Sequence, residues 1–312
     1  MPICNFGVSF RAMKILKQKQ SCNSFGFTIV ELLVVIAIIV VIVSMLTPSL
    51  GRAFRSAKTT EDKTQAKGIY SAMLLYATNN EGKLPMPSDI GKRRSPDISF
   101  DFSDTTSNLM SFMIGNNYFN PEYVISPTET NPNVRSINEY ELAYDYDSID
   151  GEDVFWDIDF NADISTASAT TPVHNSYAHQ ALCGERVRLK WNSSAKPSDI
   201  IVANRGPEVQ INNGDMAVNQ DSFTLKFHGS EDTWLGVIVG GDGSSRLAKS
   251  LYPEGVSYKP LNGLPLGPDN IFYPDWNDIN DPSVPLGMAS GDNWIVICNE
   301  VLSENEITAV WD

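Results

Sequence analysis

Several groups of residues have the types and spacing that could do chemistry. Between positions 139 and 163 the chain places Glu139, Glu141, Asp145, Asp147, Asp150, Glu152, Asp153, Asp157, Asp159 and Asp163, and no Lys or Arg occurs between Arg135 and Arg186. Concentrated carboxylates of this kind suit a hard cation such as calcium. Within the run, Asp145-x-Asp147-x-x-Asp150-Gly151 comes nearest to a calcium loop. It has one residue too many for the EF-hand spacing and lacks the closing Glu. Asp145, Asp147 and Asp150 are thus candidate ligands of a structural calcium, against the plainer reading of a solvated acidic loop. Asp275-Trp276-Asn277-Asp278-Ile279-Asn280-Asp281 is a second oxygen-rich stretch whose simpler reading is a cluster of turns.

The three histidines are His174, His179 and His228. His228, Asp242 and a serine could be drawn as a nucleophilic triad, but no Gly-x-Ser-x-Gly elbow accompanies them. The expectation is a structural turn, with His228, Asp242 and Gly243 fixing it by hydrogen bonds and no catalytic residue. Gly240-Gly241-Asp242-Gly243 is not a phosphate loop, because no Lys-Ser/Thr follows. Phe155, Trp156, Trp234, Trp276, Trp294 and Trp311 could line a sugar-binding face, although core and sheet packing is the commoner use. Cys4 and Cys22 lie near the N-terminus, while Cys183 and Cys298 lie far along the chain. The latter two are candidates for a disulfide in an oxidising compartment, or else two small buried hydrophobes. No CxxC or Cys/His spacing suggests zinc.

One acid stands apart from these. Glu31 lies inside the run Phe27–Leu46, where otherwise only Thr28 and Ser44 are not apolar. Those 20 residues would span roughly 30 Å as a helix, the thickness of a bilayer's hydrocarbon core. Insertion values of about −0.3 to −0.6 kcal/mol per Leu, Ile, Val or Phe outweigh the ~3 kcal/mol cost of one carboxylate near the end. An acid kept there at such cost calls for a partner.

Gly26-Phe27-Thr28-Ile29-Val30-Glu31-Leu32-Leu33 ahead of a long aliphatic run resembles the processing site of type IV pilins and of the pseudopilins of type II secretion systems. The resemblance implies cleavage by a prepilin peptidase after Gly26 and methylation of the new N-terminal Phe27. It gives Glu31 the positive N-terminal amine of a neighbouring subunit as its partner in assembly. The implied partners are the peptidase, other pilin-like subunits, the inner-membrane assembly platform and membrane lipid. The implied location is a single-pass inner-membrane protein, with its leader cytoplasmic and its globular domain periplasmic or extracellular, in the membrane or in a filament. A structural rather than enzymatic role follows from the same likeness. No cofactor is certain, although major pseudopilins often hold a structural calcium.

Composition agrees with this and narrows it. The 312-residue chain carries a net charge of −15. Removing residues 1–26, with Arg11, Lys14, Lys17 and Lys19 and no acid, leaves 19 basic against 38 acidic side chains. So acidic a surface argues against nucleic-acid binding. Residues 1–26 read as a basic leader, with Met13 an alternative start. An ordinary secretory signal would have a shorter apolar region, about 7–15 residues, and a small-x-small site after it. Lys14, Lys17 and Lys19 before the span are matched by Arg52, Arg55 and Lys58 after it. Charge alone therefore does not orient it.

The elements that must position these residues follow in order. Ala66, Ile69, Tyr70, Met73, Leu74 and Ala77 recur at helical spacing, so the helix continues beyond the span to about Asn79, kinked at Pro48. Asn79-Asn80-Glu81-Gly82 and then Pro85 close it. Residues 83–312 are punctuated by Pro, Gly, Asn and Asp around short β-rich runs. A helix is expected over 105–115, and strands at 154–158, 186–191, 200–203, 223–227, 234–239, 246–248 and 294–298. Ile125-Ser126-Pro127, Ser176-Tyr177-Ala178, Asn204-Arg205-Gly206-Pro207 and the His228…Asp242-Gly243 pair loosely resemble a group of pilin-like proteins with an elaborated C-terminal domain. In that group a cysteine stands where Ser126 is and an acid where Asn204 is. The expected fold class is α+β: a long N-terminal helix, membrane-embedded in its first half, packed on a β-rich globular domain. The divisions are 1–26 leader, 27–82 transmembrane and assembly helix, and 83–312 extracytoplasmic domain. The competing function is a membrane-tethered domain that binds a glycan or cation and uses the pilin-type anchor for export.

Overall fold

The computed structural model describes residues 28–94, 102–137, 148–149, 152–153, 160–212, 215–259, 265–274, 291–304 and 306–311. The candidate calcium ligands Asp145, Asp147 and Asp150, the stretch 275–281, the strand expected at 154–158, and Gly26 and Phe27 lie outside those residues. The chain divides into two compact units, residues 1–51 and 52–312.

The first long element is helix α1, Ile29–Thr78, which holds Pro48 in its interior. In the first unit its apolar residues are all exposed, and it is the one described helix long and apolar enough to cross a membrane. The hydroxyls of Ser44, Thr47 and Ser49 donate back to the carbonyls of Val41, Val43 and Leu46, each at 2.8 Å, so these three hydroxyls are satisfied within the helix. In the second unit one face of α1 is buried: Asp62, Ala66, Ile69, Tyr70, Met73 and Ala77. Each large apolar member of that stripe contributes about 1.5–3 kcal/mol by leaving water. The helix ends where Gly82, at φ 79°, lets its N–H bond the Ala77 carbonyl at 2.9 Å.

After α2, Pro87–Arg94, comes α3, Thr106–Gly115, capped by the Thr105 hydroxyl, which accepts from the Asn108 N–H. Its Leu109, Met110, Phe112 and Met113 are fully buried, as the spacing predicts. The domain is built on a six-stranded antiparallel sheet. Its strands are β1, Tyr177–Gln180; β2, Ile200–Asn204; β5, Gly236–Gly240; β6, Ser245–Ala248; β7, Ile295–Ser303; and β8, Glu306–Val310. A separate hairpin is formed by β3, Val209–Asn212, and β4, Asp215–Val218. The spatial order of the sheet is β8-β7-β1-β2-β5-β6. Every residue of β2 and β5 is buried, so both faces of the sheet centre are covered. The core joins the α1 stripe, α3 and these central strands into one cluster.

Two expected strands are helical instead. Residues 186–191 alternate in polarity but form α4, Glu185–Lys190. Glu185 lies in its first turn and Arg188 and Lys190 in its last, each favourable to the helix dipole. Its buried residues are Arg186 and Lys190, four apart, which turn their charges inward to Asp292 and Asp199. Residues 223–227 belong to a 3-10 segment, Phe223–Gly229, opened by the Ser222 hydroxyl accepting from the Thr224 N–H. A local side-chain bond won there over strand propensity. Strands β1 and β8 and the β3–β4 hairpin escaped the sequence reading.

Candidate functional site

At the start of α1, Thr28 and Glu31 form a capping box. The Thr28 carbonyl accepts from the Leu32 N–H at 3.2 Å, which makes Thr28 the N-cap. Its hydroxyl accepts from the Glu31 N–H at 3.2 Å, and Glu31 Oε2 in return accepts from the Thr28 N–H at 2.8 Å and hydroxyl at 2.7 Å. The acid is thereby fixed at the positive end of the helix, four residues after Phe27 in sequence and open to a cation.

A second constellation lies inside the domain, around Asp62. This residue occupies the buried stripe of α1 one turn before Ala66 and is fully buried. Its Oδ1 accepts from the Tyr177 hydroxyl and from Asn204 Nδ2 at 3.2 Å. Its Oδ2 faces His228 Nε2 at 3.0 Å and Thr128 Oγ1 at 3.5 Å. Burial, and then the charge of Asp62, push the Tyr177 phenol well above its ordinary range, so it stays a donor. The other nitrogen of His228, Nδ1, lies 3.0 Å from Thr59 Oγ1. That hydroxyl also donates to the Arg55 carbonyl at 2.9 Å. The ring thus bridges the Asp62 carboxylate and the Thr59 hydroxyl, with one nitrogen facing each. His228 sits at φ 53°, ψ 17°, a left-handed conformation that costs a non-glycine residue about 1–2 kcal/mol. Gly229 follows at φ 78°, and a Cβ there would come within 3.1 Å of Arg55 Cδ.

Next to this pair, Arg205 grips Glu129 with both guanidinium NH₂ nitrogens, one of them at 3.0 Å. Ser176 Oγ donates to the same carboxylate at 2.7 Å. The Arg205 guanidinium carbon lies 5.2 Å from the centre of the Phe227 ring. Thus the segments singled out in sequence around Ser126, Ser176-Tyr177, Asn204-Arg205 and His228 converge on two buried carboxylates, Asp62 and Glu129. Asn204 matters because its amide donates to Asp62 while its Oδ1 accepts from the Val237 N–H at 2.6 Å. An acid at this position could not supply the first bond.

His228 and Asp242 do not share partners. Asp242 Oδ1 accepts from the Ser244 N–H at 2.9 Å and hydroxyl at 2.6 Å, and the Gly243 N–H, at φ 76°, closes onto Gly240 O at 2.8 Å. The turn is made by Asp242, Gly243 and Ser244, with His228 engaged by α1 instead. Cys183 and Cys298 are both buried in a small second cluster with Trp294 and Ile307, as free thiols. The bridge between them is unformed in this structure, and burial pushes Cys298 up to about 12. Among the described residues, no group of three His, Cys, Asp or Glu side chains is placed to hold a metal.

Asp62, Thr59 and Glu129 were missed in the sequence. For Asp62 a signal existed: an acid at position 62 falls on the same helical stripe as 66, 69 and 73. Glu129 carries no comparable mark.

Residues 22–47 match a family model described as the prokaryotic N-terminal methylation motif. No curated protein and no solved structure matches the chain. A prepilin-type motif leading into a long apolar helix is consistent with a type IV pilin-like protein, a kind that is generally structural, and it suggests a single-pass membrane anchor.

Proposed function

We propose that this chain is a structural subunit of a type IV pilus-like filament or a type II secretion pseudopilus. In this reading a prepilin peptidase cuts after Gly26, Phe27 is methylated, and α1 carries the subunit into the assembly. Glu31 neutralises the Phe27 amine of an adjacent subunit. The observation that carries the reading is the motif at residues 22–47 running into a helix whose apolar half is wholly exposed. Such a surface is stable only in lipid or against other apolar helices. The capping box supports it further, because it holds the Glu31 carboxylate at the helix tip where an incoming ammonium would meet it.

Replacing Glu31 by Ala tests this reading in a strain that assembles the wild-type chain. Cleavage should persist, since the scissile bond is untouched, while sheared filament or cross-linked multimer should vanish. Normal assembly of Glu31→Ala would remove the role given to the acid.

A further inference from the structure

Three basic side chains of the domain are buried and paired within it: Arg186 with Asp292, Lys190 with Asp199 and Arg205 with Glu129. The helix just past the apolar stretch is different. Arg52, Arg55 and Lys58 are all exposed, and among the described residues none of their side chains forms an ion pair. The nearest exposed acid on the helix, Glu61, lies beyond Lys58. This is a local positive band in a chain whose net charge is −15.

Its height on the helix is informative. Leu50, 54 % exposed, is the last large aliphatic residue before Arg52. At about 1.5 Å per residue, Arg52, Arg55 and Lys58 follow it by roughly 3, 8 and 12 Å. A bilayer's polar zone is roughly 5–8 Å thick on each side of the hydrocarbon. Side chains on a helix lean toward its N-terminus, so these three reach back toward the apolar stretch. Long basic side chains bend in this way, stems against apolar surface and heads among polar groups. Phe54, 61 % exposed between them, adds an apolar contact at the same level.

We infer that Arg52, Arg55 and Lys58 form a headgroup-binding band that holds the phosphates of anionic phospholipids on the domain side of the membrane. Guanidinium groups donate paired hydrogen bonds to phosphate oxygens, and each basic residue at an anionic surface adds about five-fold in affinity. The band makes the helix selective for acidic lipid, and it adds a salt-sensitive contribution to the cost of drawing the subunit out of the bilayer. The inference rests on α1 spanning a membrane, and on neither processing nor filament assembly.

The test uses the full-length protein in nanodiscs of phosphatidylcholine and phosphatidylglycerol carrying trace spin-labelled lipid of either kind. Electron paramagnetic resonance then gives the fraction of each label immobilised by the protein. Wild type should immobilise phosphatidylglycerol severalfold over phosphatidylcholine, with the preference collapsing in 0.5 M salt, as expected for exposed charges. Arg52→Gln/Arg55→Gln/Lys58→Gln should bring the ratio to about 1. Arg55 packs against Gly229, so Arg52→Gln/Lys58→Gln is the companion variant, with an intermediate ratio expected. Lys83→Gln/Lys196→Gln, which changes exposed lysines elsewhere, should leave the ratio unchanged. Absence of preference in wild type would overturn the inference, as would full preference in the triple variant. If the triple variant keeps its lipid preference but loses zero-length carboxylate cross-links between copies, the band instead serves the acidic face of a second subunit. Failure of the chain to enter nanodiscs would overturn both this inference and the membrane reading beneath it.

Discussion

Removal of Asp62 should be among the most damaging single changes in the domain. The carboxylate accepts from Tyr177 and Asn204 and lies 3.0 Å from Nε2 of His228, whose side chain is 1 % exposed. Asp62→Ala leaves the Tyr177 hydroxyl, the Asn204 amide and the His228 ring buried without their shared partner. Each buried polar group so stranded costs about 1–3 kcal/mol, which gives about 3–5 kcal/mol for the cluster at the lower end of that range. In a domain of this size that corresponds to a fall in Tm of roughly 6–20 °C. The assay is thermal unfolding of the detergent-solubilised protein, followed by tryptophan fluorescence; Trp234 is buried beside the cluster, its Nε1 donating to the Arg205 carbonyl at 3.0 Å. A double-mutant cycle with His228→Ala isolates the pair, with a coupling of about 2–3 kcal/mol expected. Asp242→Ala is the control: its carboxylate accepts from the Ser244 N–H and hydroxyl in an exposed turn, and its loss should cost about 1 kcal/mol or less, additively with His228→Ala. A loss below about 1 kcal/mol for Asp62→Ala would refute the reasoning. So would strong coupling between His228 and Asp242, which would restore the pairing suggested by sequence spacing.

Three further outcomes follow from buried titratable groups. Burial lowers the pKa of His179 to about 4, against a weaker opposing bond to the Gln180 carbonyl. The unfolded chain takes up that proton below about pH 6.5, so this stability is complete above pH 6.5 and fades by up to ~3 kcal/mol as the pH falls toward 4. Asp269 acts in the opposite sense: burial, and then Asp292, raise it to about 7, so its contribution is full below about pH 4 and lost as the pH rises through 7. The two nearly cancel between pH 4 and 6.5, and denaturant titrations should expose each in turn. His179→Gln should become more stable on acidification over that range, whereas Asp269→Asn should fall more steeply and gain about 1–3 kcal/mol at pH 7.5. Unchanged pH profiles in both variants would contradict this. The thiols of Cys183 and Cys298 should resist iodoacetamide in the native protein and each take one label in urea without reductant, read by mass. No labelling in urea would reveal a bridge.

Much of the helix was legible in the sequence, because a 3.6-residue period over 66–77 and an uninterrupted aliphatic run leave few alternatives. The same held for α3 and for the central strands β2, β5 and β7, where continuous apolar runs mark burial on both faces. Arg186–Lys190 misled because its alternation suits a strand, and only the distant partners Asp292 and Asp199 explain why two of its charges turn inward. His228 misled for a related reason: proximity in sequence pointed to Asp242, whereas the ring's partner is Asp62, on a helix far upstream. Long-range polar pairing of this kind leaves no periodic trace. What remained visible was one acid set into an apolar stripe.

The central claim is that the motif at Gly26–Glu31 is a processed export and assembly signal. Its most direct test is mass spectrometry of the chain's N-terminus after expression in a host with a prepilin peptidase. The account predicts a mature chain beginning at Phe27 with a methylated amine. An N-terminus lying beyond the apolar run, or a chain that keeps its leader in cells with active peptidase, would contradict it.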